Sequence, residues 1–213
     1  MNNKDSTLII CCAGMGIRLG IGTTKALVDI CGEPLIIRQL QMLDSFDDIR
    51  IVVGFQAEKL ISVVKKYRAD VMFAFNYEYE HTGVADSLRK ALVGARENII
   101  TLDGDTLVNS DDFHLFTNYE QESLAVSSIR STEPILATVV DNYATHLSKV
   151  EGNYQWSGIA KFKASKFIDK SKHVYDVVNR MLPMPVITIR SREVNTQDDY
   201  DEAISWFKDG CTK

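Results

Sequence analysis

The chain has 213 residues, 45% of them hydrophobic, which is enough to bury one sizeable core and lies at the long end of single-domain sizes. A formal net charge of −5 argues against a general nucleic-acid binder, which presents a basic face. No stretch approaches the ~20 apolar residues of a membrane span, and Met1-Asn2-Asn3-Lys4-Asp5-Ser6 lacks the layout of a signal peptide. A cytoplasmic protein without a membrane partner is the expectation.

Thr7 to Cys12 is a short apolar run that ends at a glycine-rich loop and reads as a buried strand. Pro34 opens a helical pattern through Leu35, Ile36, Leu40 and Leu43. Ile49 to Val53 is a second strand, stopped by Gly54. Ala57 to Tyr67 is helical and Val71 to Phe75 is a third strand. Asp86 to Ala95 reads as a helix with its N-cap at Asp86 or the residue before it. Asn98 to Leu102 is a fourth strand running into Asp103-Gly104-Asp105. Strands alternating with helices at these intervals predict a mostly parallel, three-layer α/β/α sheet with right-handed crossovers.

After about Ser110 the pattern changes. Leu124 to Phe162 alternates, with turn signals at Asp141-Asn142 and Glu151-Gly152-Asn153, and suggests hairpin-like strands. Helical pieces follow at about Ala164 to Ile168 and Tyr175 to Leu182. Then come a strand at Val186 to Arg190 and a last helix near Thr196 with Ala203, Ile204 and Phe207 inward. One domain of two lobes is expected, the first over about 1–110 and a small mixed second lobe over about 111–213 that ends in the last helix. Cys11, Cys12, Cys31 and Cys211 lack zinc-site spacing and fit reduced thiols. The four histidines show no metal-ligand spacing, and no arrangement suggests a covalent nucleophile.

The loop after the first strand carries the chemistry. In an open parallel sheet, ligands bind at the carboxyl ends of the strands, where Ala13-Gly14-Met15-Gly16 stands. Glycines let backbone N–H groups approach and cradle phosphate oxygens. Arg18 adds a cationic fork and Lys25 a mobile point charge. A dinucleotide fingerprint would need a third glycine where Leu19 stands, and a phosphate-binding Walker loop would need Gly-Lys-Ser/Thr where Thr24-Lys25-Ala26 stands. A turn that is merely glycine-rich is the plain alternative.

Taken with Thr24-Lys25-Ala-Leu-Val and Gly32-Glu-Pro-Leu-Ile, the segment resembles the opening signature of the GT-A-like nucleotidyltransferases. These act on sugar phosphates and alcohol phosphates, and the nearest are cytidylyltransferases such as the phosphocholine enzymes. The resemblance implies a Rossmann-like fold, Mg²⁺ as cofactor, and Arg18 and Lys25 as the catalytic cations. It implies that Asp105 binds the metal while Asp103 faces the ribose or braces the turn. Glu193-Val-Asn195-Thr196-Gln-Asp198-Asp199-Tyr200 resembles the family's tail motif, with Asn195 where a second metal-binding aspartate usually stands. Thr196, Asp198 and Asp199 also make a good helix N-terminus, and both readings can hold together. Thr82-Gly83-Val84-Ala85-Asp86-Ser87 resembles the base-contacting segment, giving nucleotide roles to Gly83, Asp86 and Ser87. An ordinary helix cap accounts for Asp86 equally well.

The resemblance further implies CTP as donor, from the six-residue gap between Arg18 and Lys25, and a small phosphorylated or phosphonate acceptor. Trp156 and Lys161 are the candidate acceptor contacts. The lysine run 161–172 reads equally as a solvated face, and Trp156 as a packing residue. A molybdopterin guanylyltransferase, a sugar-1-phosphate uridylyl- or thymidylyltransferase, and a non-catalytic nucleotide-binding module remain alternatives. A homodimer is compatible with all of them.

Overall fold

In the computed structural model, residues 3–20, 22–168 and 170–210 are described. The first apolar run forms strand β1 (Ser6–Cys11), and β2 (Asp29–Ile30) pairs with β3 (Glu33–Pro34) in a short hairpin. Helix α1 (Leu35–Leu40) starts directly after Pro34. Then β4 (Ile49–Val53), α2 (Ala57–Tyr67), β5 (Met72–Phe75) and α3 (Val84–Leu92) alternate as the periodicity predicts. Strand β6 (Asn98–Asp103) leads through a tight turn to β7 (Thr106–Val108) and helix α4 (Ser110–Asn118). The remaining elements are β8 (Ser123–Ser127), β9 (Leu136–Val140), β10 (Tyr143–Ser148), β11 (Tyr154–Lys163), α5 (Val174–Asn179), β12 (Met184–Thr188), β13 (Ser191–Glu193) and α6 (Gln197–Lys208).

Nine strands form one sheet in the order β5-β4-β1-β6-β11-β8-β12-β10-β9. The first four are mutually parallel, as βαβ crossovers require. Strand β11 runs antiparallel to both β6 and β8. It joins the parallel half to a mixed half, and β9 curls back to pair with its start.

Alternation along the strands divides the core in two. Leu8, Ile10, Ile51 and Ile100 pack with Ile36 and Leu40 of α1, Leu60 and Val64 of α2, and Phe113 and Phe116 of α4. Ile9, Val52, Ile99 and Val126 face the other way, onto Ala85, Leu88 and Ala91 of α3 and Val177 and Val178 of α5. The result is the expected three-layer α/β arrangement. Helix α6 covers a third cluster, where Ala203 and Trp206 meet Leu19, Val28, Leu35 and Val194. Trp206 at 7% exposed is the deeper anchor there, while Ile204 and Phe207 are only partly buried.

Three local expectations are corrected. Helix α3 begins at Val84 with Gly83 as N-cap, so Asp86 sits at the third helical position and its carboxylate accepts from the Gly83 N–H. Helix α4 was not anticipated: its Asn109 cap and acidic first turn favour a helix, but Phe113 and Phe116 alone give a weak apolar stripe. The piece at Ala164 to Ile168 is a single 3₁₀ turn, Ala164–Lys166. Cys11, Cys12 and Cys31 are free thiols, and Cys211 lies outside the described residues. No helix among the described residues is long and apolar enough to cross a membrane.

Candidate active site

Register places the motifs side by side. In the β1–β6 ladder Cys11 is opposite Asp103, so the glycine loop and the acidic turn leave the sheet together. The Gly104 N–H donates to Cys11 O at 3.2 Å, which seats the turn on the end of β1. Strand β7 then pairs antiparallel with β13, setting Thr106 opposite Glu193, and the Val194 N–H donates to Asp105 O at 2.8 Å. This short ribbon brings Asn195 to Asp105 across ninety residues of chain. From beneath, the fully buried Gln39 of α1 donates its amide to Asp103 O and Thr106 O, both at 2.8 Å.

The cations meet these oxygens. Lys25 Nζ lies 2.8 Å from Asp105 Oδ2 and 2.5 Å from Asn195 Oδ1. Arg18 donates to Asn195 Oδ1 at 3.1 Å and pairs with Glu133 at 2.6 Å. Arg18, Lys25, Asp105 and Asn195 therefore form one cluster, and Asp103 lies beside it. Burial, and then the Asp105 and Glu193 carboxylates, push the Asp103 carboxyl well above its usual range. Burial and Asp105 likewise push Glu193 up to about 7. Two carboxyls resist ionisation where negative charge is crowded, which is an environment suited to a cation.

Beside the cluster lies a cleft of about 660 Å³, with Arg18, Asp103, Asp105, Glu193 and Asn195 in its wall. Lys149, Trp156, His173 and Tyr175 also line it. The His173 and Tyr175 rings stack with centroids 5.4 Å apart. Trp156 lines the cleft but is 6% exposed and packs in the core, and its Nε1–H is taken by Ile159 O at 3.0 Å.

Ala13, Gly14, Met15 and Gly16 follow β1 beside the cleft rather than lining it. Ala13 is buried and its carbonyl accepts from the Phe55 N–H. The backbone turns left-handed at Gly16, against which the Lys25 stem packs. Among the described residues, the N–H groups of Gly14, Met15 and Gly16 have no partner within the chain.

The candidate base contacts Gly83, Asp86 and Ser87 and one candidate acceptor contact, Lys161, are not in the cleft wall. A Cβ on Gly83 would lie 2.0 Å from Lys172 O, so the close approach there is to the protein's own backbone. Ser87 is 5% exposed and accepts from Asn76 Nδ2, and Asp86 pairs with Arg89. All three brace the start of α3, which reaches the cleft through Val84. Lys161, 1% exposed, donates to Thr117 O and Tyr119 O at the end of α4, on the far face of the sheet, and burial lowers its pKa. A register shift in β11 between Trp156 and Ala160 sets which residues of that strand face the cleft.

Several residues of the site carried no assigned role in the sequence, although Gly158 stands in the Trp156-Ser-Gly158-Ile segment that resembles the family's acceptor region. Gly158 adopts φ +74°, and a Cβ there would lie 2.2 Å from Asp103 Oδ2. Glu133, Lys149, His173 and Tyr175 sit on loops and helix ends whose packing no motif announces, whereas Glu193 stood inside a recognised segment.

Comparison with known proteins bears on the fold and the family. The CTP:phosphocholine cytidylyltransferase LicC of Streptococcus pneumoniae superposes with a TM-score of 0.77 at 20% identity, covering 95% of this chain and 99% of that one. The inositol-1-phosphate CTP transferase of T. maritima gives 0.77 at 18% identity, covering 99% of both chains. In sequence, the bifunctional protein GlmU of Campylobacter curvus is 26% identical over 132 residues, which is 62% of this chain and 30% of that protein. Mannose-1-phosphate guanyltransferase 2 of Candida glabrata is 31% identical over 90 residues, 39% of this chain and 25% of that protein. The matched region thus spans about a third or less of these relatives' length. Residues 8–166 match the MobA-like NTP transferase domain, and the chain belongs to that family.

Proposed function

We propose that this protein transfers CMP from CTP to a small phosphorylated or phosphonate acceptor and releases pyrophosphate. The observation that carries the reading is the Lys25 ammonium held between Asp105 Oδ2 and Asn195 Oδ1, two side chains in the wall of a substrate-sized cleft. Residues 1–110 serve the nucleotide and 111–213 supply most of the acceptor end.

The donor set fits Mg²⁺. Among the described residues no cluster of three or more His, Cys, Asp or Glu side chains has metal-ligand spacing. Magnesium is commonly held by one or two protein oxygens, with water and substrate phosphates completing the shell. Asp105 and Asn195 would hold it. Bound there, it supplies charge neutralisation and orientation to the triphosphate.

The chain's own residues do the rest by position and charge. The unpartnered N–H groups of Gly14, Met15 and Gly16 suit phosphate oxygens. The Arg18–Glu133 pair is 53% and 72% exposed, so it is worth at most about 1 kcal/mol. A triphosphate can therefore take Arg18 from Glu133 at little cost. Lys25 then stabilises charge on the α-phosphate and the departing pyrophosphate. An acceptor oxygen forms its bond to the α-phosphorus as the bond to the bridging oxygen breaks, and no covalent enzyme intermediate is needed.

CTP is favoured by the short gap between Arg18 and Lys25 and by the two CTP-using structural neighbours. Guanylyl transfer is the second reading, favoured by the similarity to a mannose-1-phosphate guanyltransferase. The test is binding of CTP, GTP, UTP and dTTP with and without Mg²⁺, followed by pyrophosphate release with a panel of phosphorylated acceptors. CTP should bind tightest and need Mg²⁺. Lys25→Ala should abolish turnover with an unchanged unfolding temperature. Near-normal turnover in that variant removes the central assignment, a GTP preference moves the reading to guanylyl transfer, and metal-indifferent binding points to a non-catalytic module.

A further inference from the structure

Asn195 can serve a cation only through its carbonyl oxygen, yet the two ends of a side-chain amide are nearly identical in shape. Its orientation must come from hydrogen-bond partners, and these form a chain with one consistent solution. It starts at two peptide groups. Gln155, 4% exposed on β11, accepts through Oε1 from the Arg130 and Ser131 N–H groups, both at 3.1 Å. Two backbone donors cannot face an NH₂ group, so the Gln155 amide group is turned the other way. It donates to Glu193 Oε1 at 2.8 Å. The second oxygen of Glu193 accepts from Asn195 Nδ2 at 2.9 Å. In its ionised form Glu193 offers only acceptors, one oxygen to Gln155 and one to Asn195, so it selects the NH₂ end of Asn195 and turns Oδ1 toward Lys25 and Arg18. Reversing the amide would set NH₂ against two cations and a carbonyl against a carboxylate.

We propose that Gln155 and Glu193 are positioning residues, a relay from the 130–131 backbone that holds Asn195 as an oxygen donor to the metal–nucleotide. The relay rests on the nucleotidyl-transfer reading above, and it answers a problem created by asparagine. An aspartate at 195 would present oxygen in either orientation and need no relay.

That difference supplies the test, a double-mutant cycle on the full chain read as the Mg²⁺ concentration giving half-maximal CTP binding. Glu193→Leu should raise this concentration at least tenfold, and Gln155→Leu should raise it by a smaller factor. In an Asn195→Asp background, Glu193→Leu should change it no more than twofold. An equal shift in both backgrounds would mean that Glu193 ligates the metal itself or only supports the fold, and no shift in either would mean that it does nothing; both overturn the relay. Proton exchange of the Asn195 side-chain amide, followed by NMR without nucleotide, separates this from failure of the functional reading. Protection in the wild type that is lost in Glu193→Leu upholds the relay even if no nucleotide binds, and an unprotected amide in the wild type sinks it.

Discussion

Gly158 shows how one absent Cβ can define a site. Its left-handed backbone sits in the irregular part of β11, where the Asp103 carboxyl fills the space a side chain would need. Gly158→Ala meets two obstacles at once. A residue with a Cβ is strained at φ +74°, at about 1–3 kcal/mol, and the new methyl would lie 2.2 Å from Asp103 Oδ2. Asp103 must then shift at the edge of the acidic turn. The expected outcome is a stability loss in that range together with at least a tenfold fall in turnover, since misplacement on the ångström scale suffices for such losses. Denaturant unfolding and pyrophosphate release check the two halves separately, and full turnover in the variant would show that Asp103 has no part in the reaction.

At the scale of elements, the acidic turn is held from below by one side chain of α1. The Gln39 amide group satisfies Asp103 O and Thr106 O on either side of the turn, while among the described residues its own Oε1 has no partner. Gln39→Leu keeps most of the volume and strands two carbonyls. Each buried group left without a partner costs about 1–3 kcal/mol, partly offset by removing the unpartnered oxygen. A net loss of about 2 kcal/mol in urea unfolding, with weaker Mg²⁺-dependent nucleotide binding, is expected. A loss below about 0.5 kcal/mol would show that the turn stands without this support.

Gln39 also marks what a sequence reader could and could not see. Helix α2 was legible because Leu60 and Val64 recur one turn apart after the stop at Gly54. Strands β1 and β4 were legible as unbroken apolar runs. A glutamine in an apolar helix gives no sign that it will support a turn sixty-odd residues away. Asp105 and Asn195 were recognisable through motif order alone, and their meeting depends on the β7–β13 register, which three-residue strands are too short to signal. Lys161 misled for the converse reason: its neighbours in sequence are basic, but the strand turns it inward, where two carbonyls receive it. Gly83 and Ser87 lay on a motif-like segment whose partners are Lys172 and Asn76.

Across the whole molecule, the site exists because the chain's last quarter is fastened to its middle. Strand β13 is only three residues long and is held at both ends. Arg192 pairs with Glu202 of α6 at 2.8 Å and lies over the Trp206 ring. At the other end Arg190 grips the start of α4: its side chain reaches Asp112 and Asn109, its N–H donates to Asp112 Oδ2, and its carbonyl accepts from the Asn109 N–H. The Arg190 guanidinium holds the Asp112 carboxyl below its ordinary value of 3.8. A carboxyl with a depressed folded-state pKa contributes stability that is present above the unfolded value and lost as pH falls through the folded one. Asp112→Asn should therefore cost about 1 kcal/mol near pH 7, at the low end for a charged hydrogen bond because Arg190 is 55% exposed. The deficit against wild type should narrow as pH falls below about 3.8 and vanish once wild-type Asp112 is itself protonated. Urea unfolding of both proteins across this range reads the effect. A deficit that stays constant with pH would assign the loss to altered packing rather than to the charge that ties β13, and with it Asn195, to the rest of the site.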